Sequence, residues 1–201
     1  MTANQPKADK TVRFDYRAAF SRNIGLVSEA EQDLLRRTCV ALPGLGGVGG
    51  SHMQALARMG IGNFRLADLD TFEVANFNRQ LGADLRTVSR SKLDVTEENL
   101  LAINPEASIQ KFPNGINAAN MAEFLDGVDV VVDGLEFFAI GIRRMMYAAC
   151  RERGIPVVTA GPIGYGAAVL TFLPDGPSFD EYFRLDDSMT PGMTTARPAE
   201  G

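Results

Sequence analysis

The chain has 201 residues, 45% hydrophobic and 22% charged, a balance that suits one soluble domain with a real core. Its formal net charge of -5 argues against a broad electrostatic footprint on nucleic acid, while leaving room for a local basic patch. Two cysteines, Cys39 and Cys150, are too few for a disulfide scaffold or a four-cysteine zinc site, and both read as buried thiols in a reducing compartment.

The polar start MTANQPKADK lacks the apolar core of a signal peptide, and residues 1–11 read as a disordered lead. The most apolar windows, around 128–132 and 155–172, are short or broken by Pro and Gly, so no membrane span is expected and a cytoplasmic location is. In SEAEQDLLRR, Ser28 precedes Glu31 by three residues, the capping-box pattern of a short helix. TCVALP reads as a buried strand entering a glycine loop. SHMQALARMG reads as a helix that stops at Gly60, and NFRLADLD as the next strand. Strand, glycine loop, helix and strand form the opening βαβ unit of a nucleotide-binding sheet.

TFEVANFNRQLGADLRTVSR is polar and irregular. Beyond it a helix is predicted from Ser91 to Ile103, a strand at ASIQKF, a helix at NAANMAEFLDG, and an apolar strand at VDVVVDG. A long helix over Phe137–Arg153 then stops at Gly154. IPVVTAG and GAAVLTFLP close the sheet. Too few residues join them for a crossover helix, so this pair is expected to be antiparallel. The predicted fold is α/β, a Rossmann-like three-layer arrangement with a mainly parallel sheet and an antiparallel C-terminal strand pair. Residues 1–27 read as an N-terminal arm, 28–175 as the nucleotide-binding domain, and 176–201 as a polar tail or linker.

The loop carries Gly44, Gly46, Gly47 and Gly49 between a strand and a helix, the context in which backbone N–H groups and a helix N-terminus meet phosphate. Asp68 ends the next strand about 20 residues on, where a ribose hydroxyl would be bonded. These residues alone suit NAD or FAD as well as ATP. The segment DLDTFEVANFNRQ adds Asn76, Arg79 and Gln80 in a loop beyond the strand's carboxyl end, where ligands of open α/β sheets bind. A guanidinium is a planar, permanently charged partner for phosphate oxygens, and Lys92 at a helix start reads as a second, mobile phosphate ligand. This charge balance fits ATP and makes a redox dinucleotide enzyme the outsider.

The combination GLGGVGG…GIGNFRLADLDTFEVANFNRQ…SKLD…INP…VVVDGLE…GIPVVTAG resembles the ThiF/MoeB/HesA superfamily, the ubiquitin-activating-enzyme-like adenylyltransferases, over about residues 16–173. The resemblance implies an enzyme that binds ATP and Mg2+ and adenylates a carboxylate with release of pyrophosphate. The implied substrate is the C-terminal glycine of a small ubiquitin-like or sulfur-carrier protein, or a peptide C-terminus. Gly44, Gly46, Gly47 and Gly49 would floor the site. Asp68 would bond the ribose with Asp70 beside it, Asn76 and Gln80 would shape the pocket, and Arg79 and Lys92 would hold the phosphates. FSRNIGL resembles the family's N-terminal arginine segment, so that Arg22 would be an arginine finger reaching across from a partner subunit of a homodimer.

Glu136 stands where the family usually has a magnesium-binding Asp, with Asp133 three residues earlier; Glu136 also suits a helix N-terminal acid. The family's zinc cysteines and its later transfer cysteine have no counterpart, so this chain lacks the covalent transfer step or another chain supplies it. Cys150 and the single histidine, His52, read as scaffold; Arg143 and Arg144 are expected to be solvated at one end of their helix, and Tyr165 in AGPIGYG is a candidate lining residue. Two alternatives stay open: an ATP-dependent cyclising dehydratase of a carboxylated tRNA base, and a degenerate nucleotide-binding or dimerisation module.

Overall fold

Two short helices lead into the sheet, α1 (Tyr16–Ala19) and α2 (Glu29–Arg37). The computed structural model describes residues 13–186; the expected lead over 1–11 and the last part of the expected tail lie outside them. The Ser28 side chain accepts from the Glu31 N–H at 3.2 Å, and the Ser28 N–H donates to Glu31 Oε2 at 2.7 Å, so the capping box read from the sequence is formed. The Ser28 N–H, with the Ser28 hydroxyl donating to the same Oε2 at 2.8 Å, holds the Glu31 carboxyl below its ordinary range.

The N-terminal segment is fastened rather than loose. The Tyr16 hydroxyl donates to the Gly60 carbonyl at 2.6 Å, and Gln32 Nε2 donates to Tyr16 Oη and to the Met59 carbonyl, each at 2.9 Å. Asn23 Nδ2 donates to the same Met59 carbonyl at 3.2 Å. A buried amide and phenol spent on carbonyls at a helix end satisfy groups that would otherwise be costly to bury.

The elements that follow are β1 (Cys39–Pro43), α3 (Gly47–Arg58), β2 (Asn63–Ala67), α4 (Lys92–Ile103), β3 (Ser108–Phe112) and α5 (Met121–Phe124). Then come β4 (Val130–Asp133), α6 (Ile140–Glu152), β5 (Val157–Ile163), β6 (Gly166–Phe172) and α7 (Phe179–Phe183). The sheet runs β3-β2-β1-β4-β5-β6, all neighbours parallel except β5 and β6, which pair antiparallel from Val157↔Phe172 to Ile163↔Gly166. The order reverses between β1 and β4, the place where open α/β sheets leave a crevice at the carboxyl ends of their strands.

Alternation along β1 shows why both faces are covered. Val40 and Leu42 pack with Met53, Ala57, Leu93 and Leu100 of α3 and α4, whereas Ala41 packs in the opposite layer with Met146, Cys150 and Phe172. Three layers with a parallel centre result, as the sequence pattern predicts.

Two expectations change. The 176–201 segment, read as tail or linker, carries α7, opened by a capping box of Ser178 and Glu181; Phe179 is buried against Tyr147 and Phe172. Its composition is polar overall, but its aromatics fall on one face and find the end of β6. Arg143, expected in solvent, is buried, and Arg144 is paired with Asp180 of α7 at 2.7 Å.

Candidate active site

Where β1 ends, three stretches of backbone meet with no room for a side chain. Gly44 has φ +84°, and a Cβ there would lie 2.4 Å from the Gly134 carbonyl oxygen. A Cβ on Gly49, in the first turn of α3, would lie 1.8 Å from the Gly44 oxygen, and one on Gly134 would lie 2.8 Å from Gly49 Cα. The contacts are backbone on both sides, so neither side can swing away. Gly134 is absent from the sequence-based site; its only signal is a glycine directly after the apolar run VVVD. The Gly44 N–H donates to Ala67 O at 2.8 Å and the Gly134 N–H to Pro43 O at 3.0 Å, which locks the exits of β1, β2 and β4 together. Gly46 is the N-cap of α3 and no side chain caps that end, leaving the helix dipole and first-turn N–H groups for an anion.

Asp68 leaves β2 beside this loop. Its Oδ2 accepts from the Leu45 N–H at 2.6 Å and its Oδ1 from the Asp70 N–H at 2.8 Å. Asp70 Oδ2 accepts from Lys92 Nζ at 2.9 Å, and the Lys92 N–H donates to the Asp70 carbonyl at 3.0 Å. Lys92 was expected to be mobile; its side chain is 7% exposed and its charge is held by Asp70.

The NFNRQ segment turns over the loop through a 3-10 turn, Val74–Asn76. Asn76 is buried and its Oδ1 accepts from the Glu73 N–H at 3.0 Å, so it holds the turn's shape. The turn sets Arg79 against Gly47, whose Cβ position is 3.1 Å from Arg79 O and 3.4 Å from Arg79 Cγ. The Arg79 guanidinium is exposed and leans on Ala75 O at 2.9 Å and Asn78 Oδ1 at 3.1 Å. Gln80 is buried, with Nε2 3.7 Å from the Cβ position of Gly46; its buried Oε1 has no partner among the described residues. An unmet acceptor beside a glycine loop is what a donor-bearing ligand would satisfy.

At the exit of β4, Asp133 is fully enclosed. It accepts from Arg143 Nε at 2.6 Å, from the Tyr147 hydroxyl at 2.9 Å and from the Leu135 N–H at 2.9 Å, while Arg143 Nη2 donates to Leu135 O at 2.7 Å. Its oxygens are committed to shaping the loop. Burial, then the charge of Asp133, raises the Tyr147 hydroxyl above its ordinary range. Glu136 is exposed in the loop that Gly134 begins. Among the described residues no cluster of three or more His, Cys, Asp or Glu side chains is placed to hold a metal. A nucleotide-borne Mg2+ needs only one or two protein carboxylates besides phosphate and water, and the carboxylate that this loop exposes is that of Glu136.

Four residues stand apart. Arg22 lies in a 3-10 turn, Ser21–Asn23, tied to the far end of α3. A 12-residue helix separates it from the glycine loop, about 18 Å at the α-helical rise. Tyr165 is fully exposed at the tip of the β5–β6 hairpin, which overhangs the last β4 pairing, Asp133↔Thr159, by residues 160–163. Cys150 is buried and its thiol is pushed up to about 12 by burial, which removes it as a neutral-pH nucleophile, in line with its scaffold reading. His52 is half-buried on α3; burial lowers its pKa against the opposing charge of Asp133, and its buried Nδ1 has no partner among the described residues.

No helix among the described residues is long and apolar enough to cross a membrane. The sequence model of the ThiF family matches residues 20–197. The tRNA threonylcarbamoyladenosine dehydratase of Haemophilus influenzae is 35% identical over 131 residues, covering 65% of this chain and 49% of that protein. The molybdopterin-synthase adenylyltransferase of the same organism is 28% identical over 157 residues, covering 77% and 63%. The crystal structure of the E. coli tRNA N6-threonylcarbamoyladenosine dehydratase in complex with ATP matches with a TM-score of 0.68 at 32% identity, over 73% of this chain and 62% of that one. The chain spans about half the length of the dehydratases it matches.

Proposed function

The chain belongs to the ThiF family, and we propose that its glycine-loop site binds ATP and passes AMP to a carboxylate. The observation that carries this reading is the meeting of four features at one sheet edge. These are the uncapped α3 N-terminus, the Asp68 carboxylate, the exposed Arg79 guanidinium and the unmet Gln80 Oε1. Backbone N–H groups and Arg79 take phosphate oxygens, Asp68 takes the ribose hydroxyls with its remaining lone pairs, and Lys92 is aimed from below by Asp70. Glu136 is the residue that would hold the nucleotide's Mg2+, which supplies charge neutralisation on the phosphates. A substrate carboxylate oxygen attacks the α-phosphorus and pyrophosphate leaves. The charges positioned here lower that barrier, and losing one such group costs on the order of 10²–10³ in rate.

For the acceptor we propose the carboxylate of a modified tRNA base, a reading supported by the relatives at 35% and 32% identity, which are named tRNA threonylcarbamoyladenosine dehydratases. A nucleophile on the same base then attacks the acyl carbon and AMP departs with the carboxylate oxygen. Cyclisation and net loss of water follow, with no cysteine needed; that agrees with Cys150 being buried and Cys39 being raised by burial. A second reading, the C-terminus of a ubiquitin-like or sulfur-carrier protein or of a peptide, is favoured by the apolar rim. Phe137, Phe138, Ile163 and Tyr165 are all exposed on the site's edge of the sheet. Under either reading Arg22 is too far to serve its own glycine loop, so we propose a homodimer in which it reaches the partner's nucleotide.

ATP–pyrophosphate exchange with Mg2+ is the test, run with bulk tRNA and with a small Gly-Gly-terminated carrier. Exchange that needs one of them, and falls at least about 100-fold in Arg79→Ala, supports the site. Undiminished exchange in Arg79→Ala removes the phosphate role of that residue.

A further inference from the structure

Between α6, the end of β6 and α7 lies a cavity of about 260 Å³. One face of α6 supplies a wall of Arg144, Tyr147, Ala148 and Arg151, the spacing of neighbours along a helix. The floor is apolar. Tyr147, Phe172 and Phe179 stand with ring centroids 4.5, 5.1 and 5.8 Å apart, beside the buried Ile155 and Val157. The mouth is charged. Arg144 holds Asp180, the one carboxylate in the lining, with bonds of 2.8 Å from Nε and 2.7 Å from Nη2. Arg151 donates to the Gly176 carbonyl through Nη1, and a guanidinium has more N–H donors than that bond uses. Glu181, the other acid of α7, takes the Ser178 N–H at 2.7 Å; its carboxyl is lowered first by that bond and last by Arg151.

Size and charge together select a ligand. An apolar cavity of about 150 Å³ takes a benzene, and drug-sized pockets begin at roughly 300 Å³. The space between those limits suits one aromatic ring or branched chain on a short stem. A guanidinium at the mouth suits a carboxylate at the end of that stem. One wall residue also belongs to the glycine-loop site. The Tyr147 ring lines the cavity, while its hydroxyl donates to Asp133 Oδ2 at 2.9 Å. Asp133 Oδ1 takes the Leu135 N–H at 2.9 Å, next to Gly134, whose backbone packs on Gly44 and Gly49. A ligand that tilts this ring therefore moves the carboxylate that shapes the nucleotide loop. We infer that the cavity is an effector site for a small aromatic or branched-chain carboxylic acid, with Arg151 as its anion partner and Tyr147 as the relay to the glycine loop. Binding of the acid stands on the cavity alone; its effect on ATP rests on the proposed function.

The test is a nuclear magnetic resonance titration of the full chain with hydrocinnamate, a phenyl ring on a short carboxylate stem, against its neutral amide. The methyl signals of Ile155, Val157 and Leu173 are expected to move on one curve, about tenfold weaker for the amide. Arg151→Gln should weaken the acid about tenfold and leave the amide unchanged, and Arg151→Lys should weaken the acid less. The Leu135 amide should follow the acid's curve in the parent and stay still in Tyr147→Phe, whose cavity methyls still titrate. ATP affinity should change at least about fivefold at saturating acid, and the acid's affinity by the same factor at saturating ATP. Methyl signals that stay still up to about 10 mM acid overturn the site. Equal binding of acid and amide, or an acid curve indifferent to Arg151→Gln, overturns the anion partner. A Leu135 amide that stays still in the parent overturns the relay, and an ATP affinity that ignores the acid overturns the effector role. A cavity that titrates in a chain that binds no ATP leaves the acid site standing and removes the proposed function instead.

Discussion

At the N-terminal end of α3 three backbones touch with no side chain between them; at its C-terminal end Arg22 and Arg58 line an open cleft between the Ser21–Asn23 turn, α3 and the end of α4. The first end is built by subtraction. Its shape exists because Gly44, Gly49 and Gly134 lack a Cβ, and its anion-binding groups are main-chain N–H groups that every sequence carries. The second end is built by addition, from the long side chains of Arg22 and Arg58 on the surface. The contrast teaches how each can fail: the glycine end loses fold and site together, whereas the arginine end loses only charge.

Substitutions can break that contrast. Gly49→Ala places a methyl 1.8 Å from the Gly44 oxygen and is expected to cost more than about 3 kcal/mol in urea unfolding, with ATP binding lost as well. Arg58→Gln, at the other end, should stay within about 0.5 kcal/mol of the parent. Equal losses at both ends would refute the distinction. Arg143 supports the glycine end from beneath, and Arg143→Met removes that support. It strands the Asp133 carboxylate in the core and should lower stability by about 3–5 kcal/mol, seen as a large fall in Tm.

Smaller effects sharpen the comparison. Asp68→Asn replaces a charged acceptor of two loop N–H groups, and calorimetry should show ATP affinity falling about 10–100-fold while the fold persists. Ser28→Ala removes the cap of α2, which anchors the arm at the arginine end, and should cost about 1 kcal/mol without touching ATP affinity. The smallest effect belongs to His52, midway along the helix. Its folded pKa lies below the ordinary 6.5, so its contribution is fully present above that value and is lost as pH falls through the folded pKa. Denaturation midpoints between pH 5 and 7 should slope less in His52→Gln than in the parent.

Much of the glycine end could be read from sequence because it depends on residue type at fixed spacing. The loop, Asp68 and the Asn76–Gln80 turn do lie at one edge, and β5 and β6 are antiparallel because their connection is short. What escaped reading depends on partners distant in the chain. Gly134 matters only because β4 lands beside β1. Arg143 looks like any helix-surface arginine until Asp133 is seen beneath it, and the mobility expected of Lys92 disappears once Asp70 is seen to bind it. The α7 segment was hidden by its polar neighbours, although Ser178 and Glu181 repeat the capping pattern recognised at Ser28 and Glu31. The Arg58 cleft has no linear signal at all, since the end of α3 meets the arm only through folding.

The short bond from the Leu45 N–H to Asp68 has a practical consequence. One carboxylate fastens the glycine loop and also offers its spare lone pairs to a ligand, so occupancy and loop order share a single atom group. The Leu45 amide therefore acts as a reporter already in the chain. Its hydrogen–deuterium exchange should slow when a nucleotide stiffens Asp68, and should quicken in Asp68→Asn with no ligand present. A single peptide hydrogen would then register whether the site is filled before any product has been identified.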